Sequence, residues 1–221
     1  MTPKSAFTLT ELLVVIAIIA TIAAIFIGVG NHISLNSRIQ SAQAEEQALV
    51  TAIDNYHAKY GFYPPDSNLG NSSPNQLYYE LIGTTMSNNV SAGIVTFTTL
   101  DSDSTISTNT ANKYFGVLGF MNCSKGSGDD AHPALTFLRD LKPGQIATNA
   151  EGVYVLTTSA ASDATYQPLQ GYSTLSGHPA NPWNYRYPGT NDPDSYDLSL
   201  QLFMGGKTYL ICNWTKNVQI Q

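Results

Sequence analysis

One stretch constrains this chain more than any other. Residues Leu12 to Val29 read LLVVIAIIATIAAIFIGV, eighteen residues with one Thr, one Gly and no charge. A helix rises ~1.5 Å per residue, so the run is about 27 Å long, close to the ~30 Å hydrocarbon core of a bilayer. The other reading is a helix buried in a globular core. No part of this run's circumference is polar, which favours lipid or copies of itself as its surroundings.

The flanks sharpen that reading. Met1-Thr2-Pro3-Lys4-Ser5-Ala6 carries one positive charge, and Phe7-Thr8-Leu9-Thr10-Glu11 opens the apolar run. A secretory signal peptide has a shorter apolar segment and its small cleavage residue after that segment. Here the small residue, Ala6, comes before it, so a cut there leaves the apolar helix on the mature chain. Lys4 favours the cytoplasmic side for the leader and the opposite side for the rest. Glu11 is the anomaly, because an acid carried to the bilayer centre costs roughly a few kcal/mol. A new α-ammonium on Phe7 would lie four positions before Glu11, one helical turn away on the same face. A Glu resting in the headgroup layer and stabilising the helix N-terminus is the alternative.

Ala6 followed by Phe7-Thr8-Leu9-Thr10-Glu11-Leu12-Leu13-Val14-Val15-Ile16 resembles the cleavage and methylation motif of type IV prepilins and type II secretion pseudopilins. The resemblance implies that a prepilin peptidase cuts after Ala6 and N-methylates Phe7. It implies that Glu11 guides each subunit into a helical filament by neutralising a neighbour's N-terminus. It further implies copies of the chain and other pilins as partners, an inner-membrane assembly platform, and a single-pass inner-membrane protein with its C-terminal part in the periplasm, or outside the cell in a surface pilus. The chain differs from the family in having Ala6 where Gly is usual and Gly28 where Pro is common.

The helical pattern continues past the apolar run. Ile39, Ala42, Glu46, Leu49, Ile53, Tyr56 and Tyr60 step by three and four residues, while Gln43, Glu45, Gln47, Asp54 and Lys59 are assigned to the other faces. One stripe suits a helix lying on a sheet, with a coiled coil as the rival. Gly61 and Pro64-Pro65 stop the pattern. A helix from about Thr8 to Tyr60 would be about 80 Å long. The expected organisation is a leader over 1–6, a membrane-spanning half-helix over 7–30, an amphipathic half over 31–60, and a globular region over 61–221 with a central insertion at about 67–180.

Charge narrows the function. Three cations (Lys4, Arg38, Lys59) and four acids (Glu11, Glu45, Glu46, Asp54) precede residue 61, leaving seven cations and twelve acids after it from totals of 10 and 16. A net-negative globular region lacks the basic patch that nucleic-acid binding needs, so no nucleic acid is expected as a partner. Cys123 and Cys212 are an even pair in an oxidising compartment, which permits a disulfide as well as two separate thiols.

Past residue 60, Gln76–Ile82 reads as a short helix ended by Gly83, and Gly93–Leu100 as a strand. Asp101–Asn112 reads as an exposed loop, and Pro133–Leu141 as a short helix with Phe137, Leu138 and Leu141 inward. Gly152–Thr157 reads as a strand, and residues 158 to 181 as loop-rich. Gly61-Phe62-Tyr63-Pro64, Asn181-Pro182-Trp183-Asn184-Tyr185-Arg186-Tyr187 and Cys212-Asn213-Trp214 resemble segments of major pseudopilins. Gly205-Gly206 between two apolar runs reads as a hairpin turn. The expected fold is α+β and pilin-like, a long N-terminal helix packed on a C-terminal antiparallel sheet.

Candidate sites are sparse. The resemblance suggests a calcium loop at Phe203–Lys207, but that turn has no acid, so no metal is assigned. Asp192, Asp194 and Asp197 read as a solvated acidic loop. Cys123 with His132 or His178 lacks any catalytic signature, and His32 and His57 read as surface or packing residues. Tyr78, Tyr79, Tyr166, Tyr172, Trp183, Tyr185 and Tyr187 read as core, with a sugar-binding face as the alternative. No cofactor and no enzyme activity are expected. A filament subunit is the leading reading; a minor adhesive pilin and a membrane-anchored periplasmic enzyme are the rivals.

Overall fold

The computed structural model describes residues 9–67, 69, 74–89, 94–125, 132–163, 166 and 168–221, with the backbone alone for 23–34 and 89. The leader, Ala6 and Phe7 lie outside the described residues. Contacts divide the chain into two units, residues 1–40 and 41–221. The helix α1, Leu9–Tyr60, runs without interruption through both. Gly61 ends it at φ +80, with its N–H on the His57 carbonyl at 2.7 Å, a backbone angle that an L side chain resists.

In the first unit, α1 shows apolar side chains on all sides, described below. In the second, the expected stripe is the buried one: Ala42, Glu46, Leu49, Ile53 and Tyr56 are buried and Tyr60 half-buried; Ile39, also half-buried, falls at the end of the first unit. The stripe is wider than a coiled-coil seam, because Glu45 and Ala52 are buried too. This corrects the placing of Glu45 on an outer face. Its carboxylate accepts the Thr158 hydroxyl at 2.7 Å, the Ser159 N–H at 3.2 Å and the Ser159 hydroxyl. A segment far along the chain thus folds over what the local pattern marks as solvent-facing.

A buried polar hub fastens this half of α1 to the helix α2, Leu77–Ile82. Glu80 of α2 has no exposed surface. Its carboxylate accepts the Tyr56 hydroxyl at 3.0 Å and the N–H groups of Met121 and Asn122 at 2.9 Å. Asn122 donates its amide to the carbonyls of Glu80 and Leu135 at 2.7 and 2.6 Å. Its side-chain oxygen accepts the Tyr60 hydroxyl and the Leu135 N–H at 2.8 and 2.9 Å. Every polar atom of the Asn122 side chain is therefore used, which is what a buried amide requires. Burial pushes the Glu80 carboxyl above its ordinary range, and the Met121, Asn122 and Tyr56 donors hold it partly back.

Among the described residues there are three sheets. The strands β1 (Thr84–Asn89), β2 (Ile94–Thr99), β3 (Thr105–Ser107) and β4 (Cys123–Ser124) make one, in the order β3-β2-β1-β4 with β4 parallel to β1. A second, β6-β5-β7, joins β5 (Ile146–Asn149), β6 (Tyr154–Leu156) and β7 (Tyr172–Thr174). Both lie between residues 84 and 174. The third is the antiparallel C-terminal sheet β11-β10-β9-β8, from β8 (Asn184–Arg186), β9 (Asp197–Met204), β10 (Lys207–Cys212) and β11 (Gln219–Ile220). Leu198, Leu200 and Leu202 of β9 are fully buried on one face, and the Gly205-Gly206 turn takes φ +59 and +75, as a tight hairpin needs. The fold is an α+β mixture, as expected.

Two expectations fail for local reasons. Asp101–Asn112 is not a loop throughout, because it contains β3 and the start of helix α3, Thr108–Phe115. Ser107 caps α3 by accepting the Thr110 N–H at 3.1 Å, and Ala111 and Phe115, one turn apart, are buried. Pro133–Leu141 is not a helix. Its N–H groups at Phe137 and Leu138 go to the Leu81 carbonyl at 2.8 and 3.3 Å, and the Thr136 hydroxyl to the Ile82 carbonyl at 3.0 Å. The segment satisfies the orphan carbonyls at the end of α2 instead of bonding to itself.

Candidate functional site: the N-terminal motif and its helix

The functional surface is built from aliphatic side chains. Leu12, Leu13, Val14, Val15 and Ile16 follow one another at ~100° steps around α1, and all are exposed. Leu9 is 79% exposed, and Ile18, Ile19 and Ile22 about half. These nine large side chains leave on the order of 10 kcal/mol of burial energy uncollected, at ~1.5–3 kcal/mol for each fully buried Leu, Ile or Val. Thr21, the polar residue of the run, turns its hydroxyl onto the Ala17 and Ile18 carbonyls, both at 2.9 Å. The run thus offers no unsatisfied side-chain hydroxyl to an apolar environment. Glu11 is exposed near the start of the helix. Among the described residues no helix is long and apolar enough to cross a membrane. Residues 23–29, the rest of the Leu12–Val29 run, lie outside the described side chains, as does His32.

The other sequence-derived candidates fall apart as sites. Cys123 and Cys212 are not joined: both are free buried thiols, one in β4 and one in β10, strands of two different sheets. The Cys212 sulfur pairs with the Thr215 hydroxyl at 3.1 Å. Asp192 and Asp194 are exposed, whereas Asp197 is buried and serves its own loop. Its carboxylate accepts the N–H groups of Thr190, Asn191 and Asp192 at 2.7–3.3 Å and the Asn191 amide at 3.0 Å. Burial raises the Asp197 carboxyl, but these donors together hold it below its usual range. Among the described residues no group of three His, Cys, Asp or Glu side chains is placed to hold a metal ion. His57 stacks on Tyr63 at 4.2 Å, the His132 backbone pairs with Lys125, and His178 is exposed.

The aromatic residues are mostly core. Tyr78, Tyr79, Tyr172, Trp183 and Tyr185 are buried, and only Tyr166 and Tyr187 are half-buried. Sequence reasoning missed the Glu80–Asn122 hub and the Glu45 anchor. The one available signal was an acid within a short apolar helix, Tyr78-Tyr79-Glu80-Leu81, which has to be paired if the helix is buried.

A family model described as the prokaryotic N-terminal methylation motif matches residues 1–27. No curated protein and no solved structure matches the chain. The match covers Ala6, Phe7, Glu11 and most of the Leu12–Val29 run, and stops short of the second unit.

Proposed function

We propose that this chain, which carries the prepilin-type cleavage and methylation motif, is a structural subunit of a type II secretion or type IV pilus-like filament. The motif implies processing by prepilin peptidase and a membrane-anchored, cell-envelope protein. The observation that carries the proposal is the motif's continuity with a helical stretch, residues 12–22, whose side chains are apolar apart from Thr21 and exposed on every side. Before assembly, the Leu12–Val29 run is held in the inner membrane as a single span. After assembly, helices of neighbouring copies cover one another. Glu11 sets register, because an acid left without a counter-charge in that apolar bundle is costly.

The test has two parts. Intact mass and N-terminal sequencing of the protein from its native membrane should show a chain that begins at methylated Phe7. Glu11→Val should leave insertion and cleavage intact and abolish filaments. Normal filaments from Glu11→Val, or a mature protein that keeps Met1, would overturn the proposal.

A further inference from the structure

The outward face of the C-terminal sheet holds a feature that filament assembly does not use. In β8 and β9, Tyr185 and Leu198 face inward as a register pair, so the flanking pairs Asn184–Ser199 and Arg186–Asp197 share the opposite face. Asn184 and Arg186 are exposed there, and Ser199 is half-buried. A cleft of about 390 Å³ opens over these residues, with half-buried Trp214 and buried Asn75 in its wall. Asn75 and Asn184 also line a neighbouring cleft of about 250 Å³, bordered by Tyr166 and Gln201. Tyr166 and Asn181 then line a third, of about 190 Å³, together with Ser159, Ser162 and Ser176. The three clefts adjoin through these shared lining residues, and the first falls in the few-hundred Å³ range of small-molecule sites.

The chemistry of the lining selects the ligand. Most groups that face the groove are amides and hydroxyls. Arg186 is the cation of the first cleft; burial pushes the Asp66 carboxyl beside it up, and the Ser67 and Tyr187 backbone donors and Arg186 hold it partly back. The second acid there, Asp197, spends its oxygens on its own loop. A strongly anionic ligand finds too little positive charge. An extended peptide finds the edge of β9 closed where β8 ends. Beyond β8, the edge of β9 is taken by the Asn181 amide on the Gln201 carbonyl, by Ser162 accepting the Phe203 N–H, and by the Asp163 N–H on the Phe203 carbonyl. What remains suits a neutral oligosaccharide, whose hydroxyls match amides and whose C–H faces match the electron-rich faces of Trp214 and Tyr166.

The geometry points to a binding groove for a neutral glycan chain, running from Trp214 past Asn184 and Tyr166 to Ser176. It goes beyond the filament reading, and processing and assembly can proceed without it.

Cellohexaose, maltohexaose and chitohexaose, titrated into the full-length protein in a detergent without a sugar headgroup, test it through tryptophan emission. Trp214 is half-buried in the first cleft and Trp183, 1% exposed, borders the second, so the Trp214→Ala variant separates the two reporters. At least one hexasaccharide should give a saturable change with a midpoint below about 1 mM, as a shallow site of this size allows. Asn184→Ala and Arg186→Ala, both at exposed positions, should weaken it about fivefold or more, and Trp214→Ala should abolish the emission change. If Trp214→Ala does not fold, the two exposed variants decide by calorimetry. No saturable response to any of the three, or binding unchanged in both exposed variants, would overturn the inference. So would a proline-rich decapeptide that saturates the groove where the saccharides fail.

Discussion

Glu80 carries the sharpest energetic prediction. It has no exposed surface, and three donors converge on its carboxylate: Met121 N–H on one oxygen, Asn122 N–H and the Tyr56 hydroxyl on the other. Glu80→Gln keeps the shape but supplies one acceptor and one donor group. With the Gln oxygen facing Asn122 and Tyr56, its NH₂ meets the Met121 N–H. With the oxygen facing Met121, its NH₂ meets the Asn122 N–H while Tyr56 turns to accept. Either way one buried N–H loses its partner, at about 1–3 kcal/mol. Relief from burying a carboxylate offsets part of this, so the net loss should be about 1–2 kcal/mol. Glu80→Ala orphans all three donors and should cost more than about 4 kcal/mol, a large share of the ~5–15 kcal/mol that holds a domain folded. Tyr56→Phe removes a donor and leaves Glu80 two N–H groups, so about 1 kcal/mol is expected. The assay is urea unfolding of the full-length chain in micelles, followed by tryptophan emission, to which buried Trp183 contributes. Tyr56→Phe should also cost less in the Glu80→Gln background, by at least about 0.5 kcal/mol, because the two side chains share one hydrogen bond. A Glu80→Ala protein within about 1 kcal/mol of the parent would refute the hub as the tie between α1 and α2.

Four further outcomes follow from the same coordinates. Glu45→Ala should release residues 158–160, read as faster amide exchange at Ser159 with a stability loss of about 2 kcal/mol, since a part-buried N–H and two hydroxyls lose their acceptor. Gly83→Ala should destabilise by about 2 kcal/mol or more in the same urea assay, because Gly83 sits at φ +82 and a Cβ there would lie 2.8 Å from the Leu135 carbonyl oxygen. Burial raises the Glu46 carboxyl, and burial likewise raises Glu80. A carboxyl whose folded value exceeds its unfolded value contributes most below the unfolded value, so melting temperature should fall as pH rises above about 4.5, and Glu46→Gln should flatten that fall. With Cys123 and Cys212 both free, dithiothreitol should leave the melting temperature unchanged within about 1 °C, whereas a drop of several degrees would reveal a bond between them.

What was legible in the sequence was whatever a hydrophobic pattern can report. The stripe from Ala42 to Tyr56 and the β9–β10 hairpin came through, because each buries one side of a regular element. The pattern reports which side is apolar, and is silent on where backbone hydrogen bonds go. Pro133–Leu141 has apolar residues at helical spacing, yet its donors serve the Leu81 carbonyl, a demand set fifty residues earlier. β1 escaped for a related reason: Thr84 is buried while Met86, on the same side of the strand, is exposed, so no alternation marks it. The hub and the groove lay further out of reach. Glu80 needs Met121 and Asn122, Glu45 needs Thr158 and Ser159, and the first cleft gathers Asn75, Asn184, Arg186 and Trp214. Each is a meeting of polar residues distant in sequence, and a polar residue carries no local mark of burial. The N-terminal motif was legible because its chemistry is consecutive: a protease, a methylating enzyme and a bilayer all read residues in chain order. Processing and anchoring are therefore written locally, while anything the second unit binds is written in its long-range contacts.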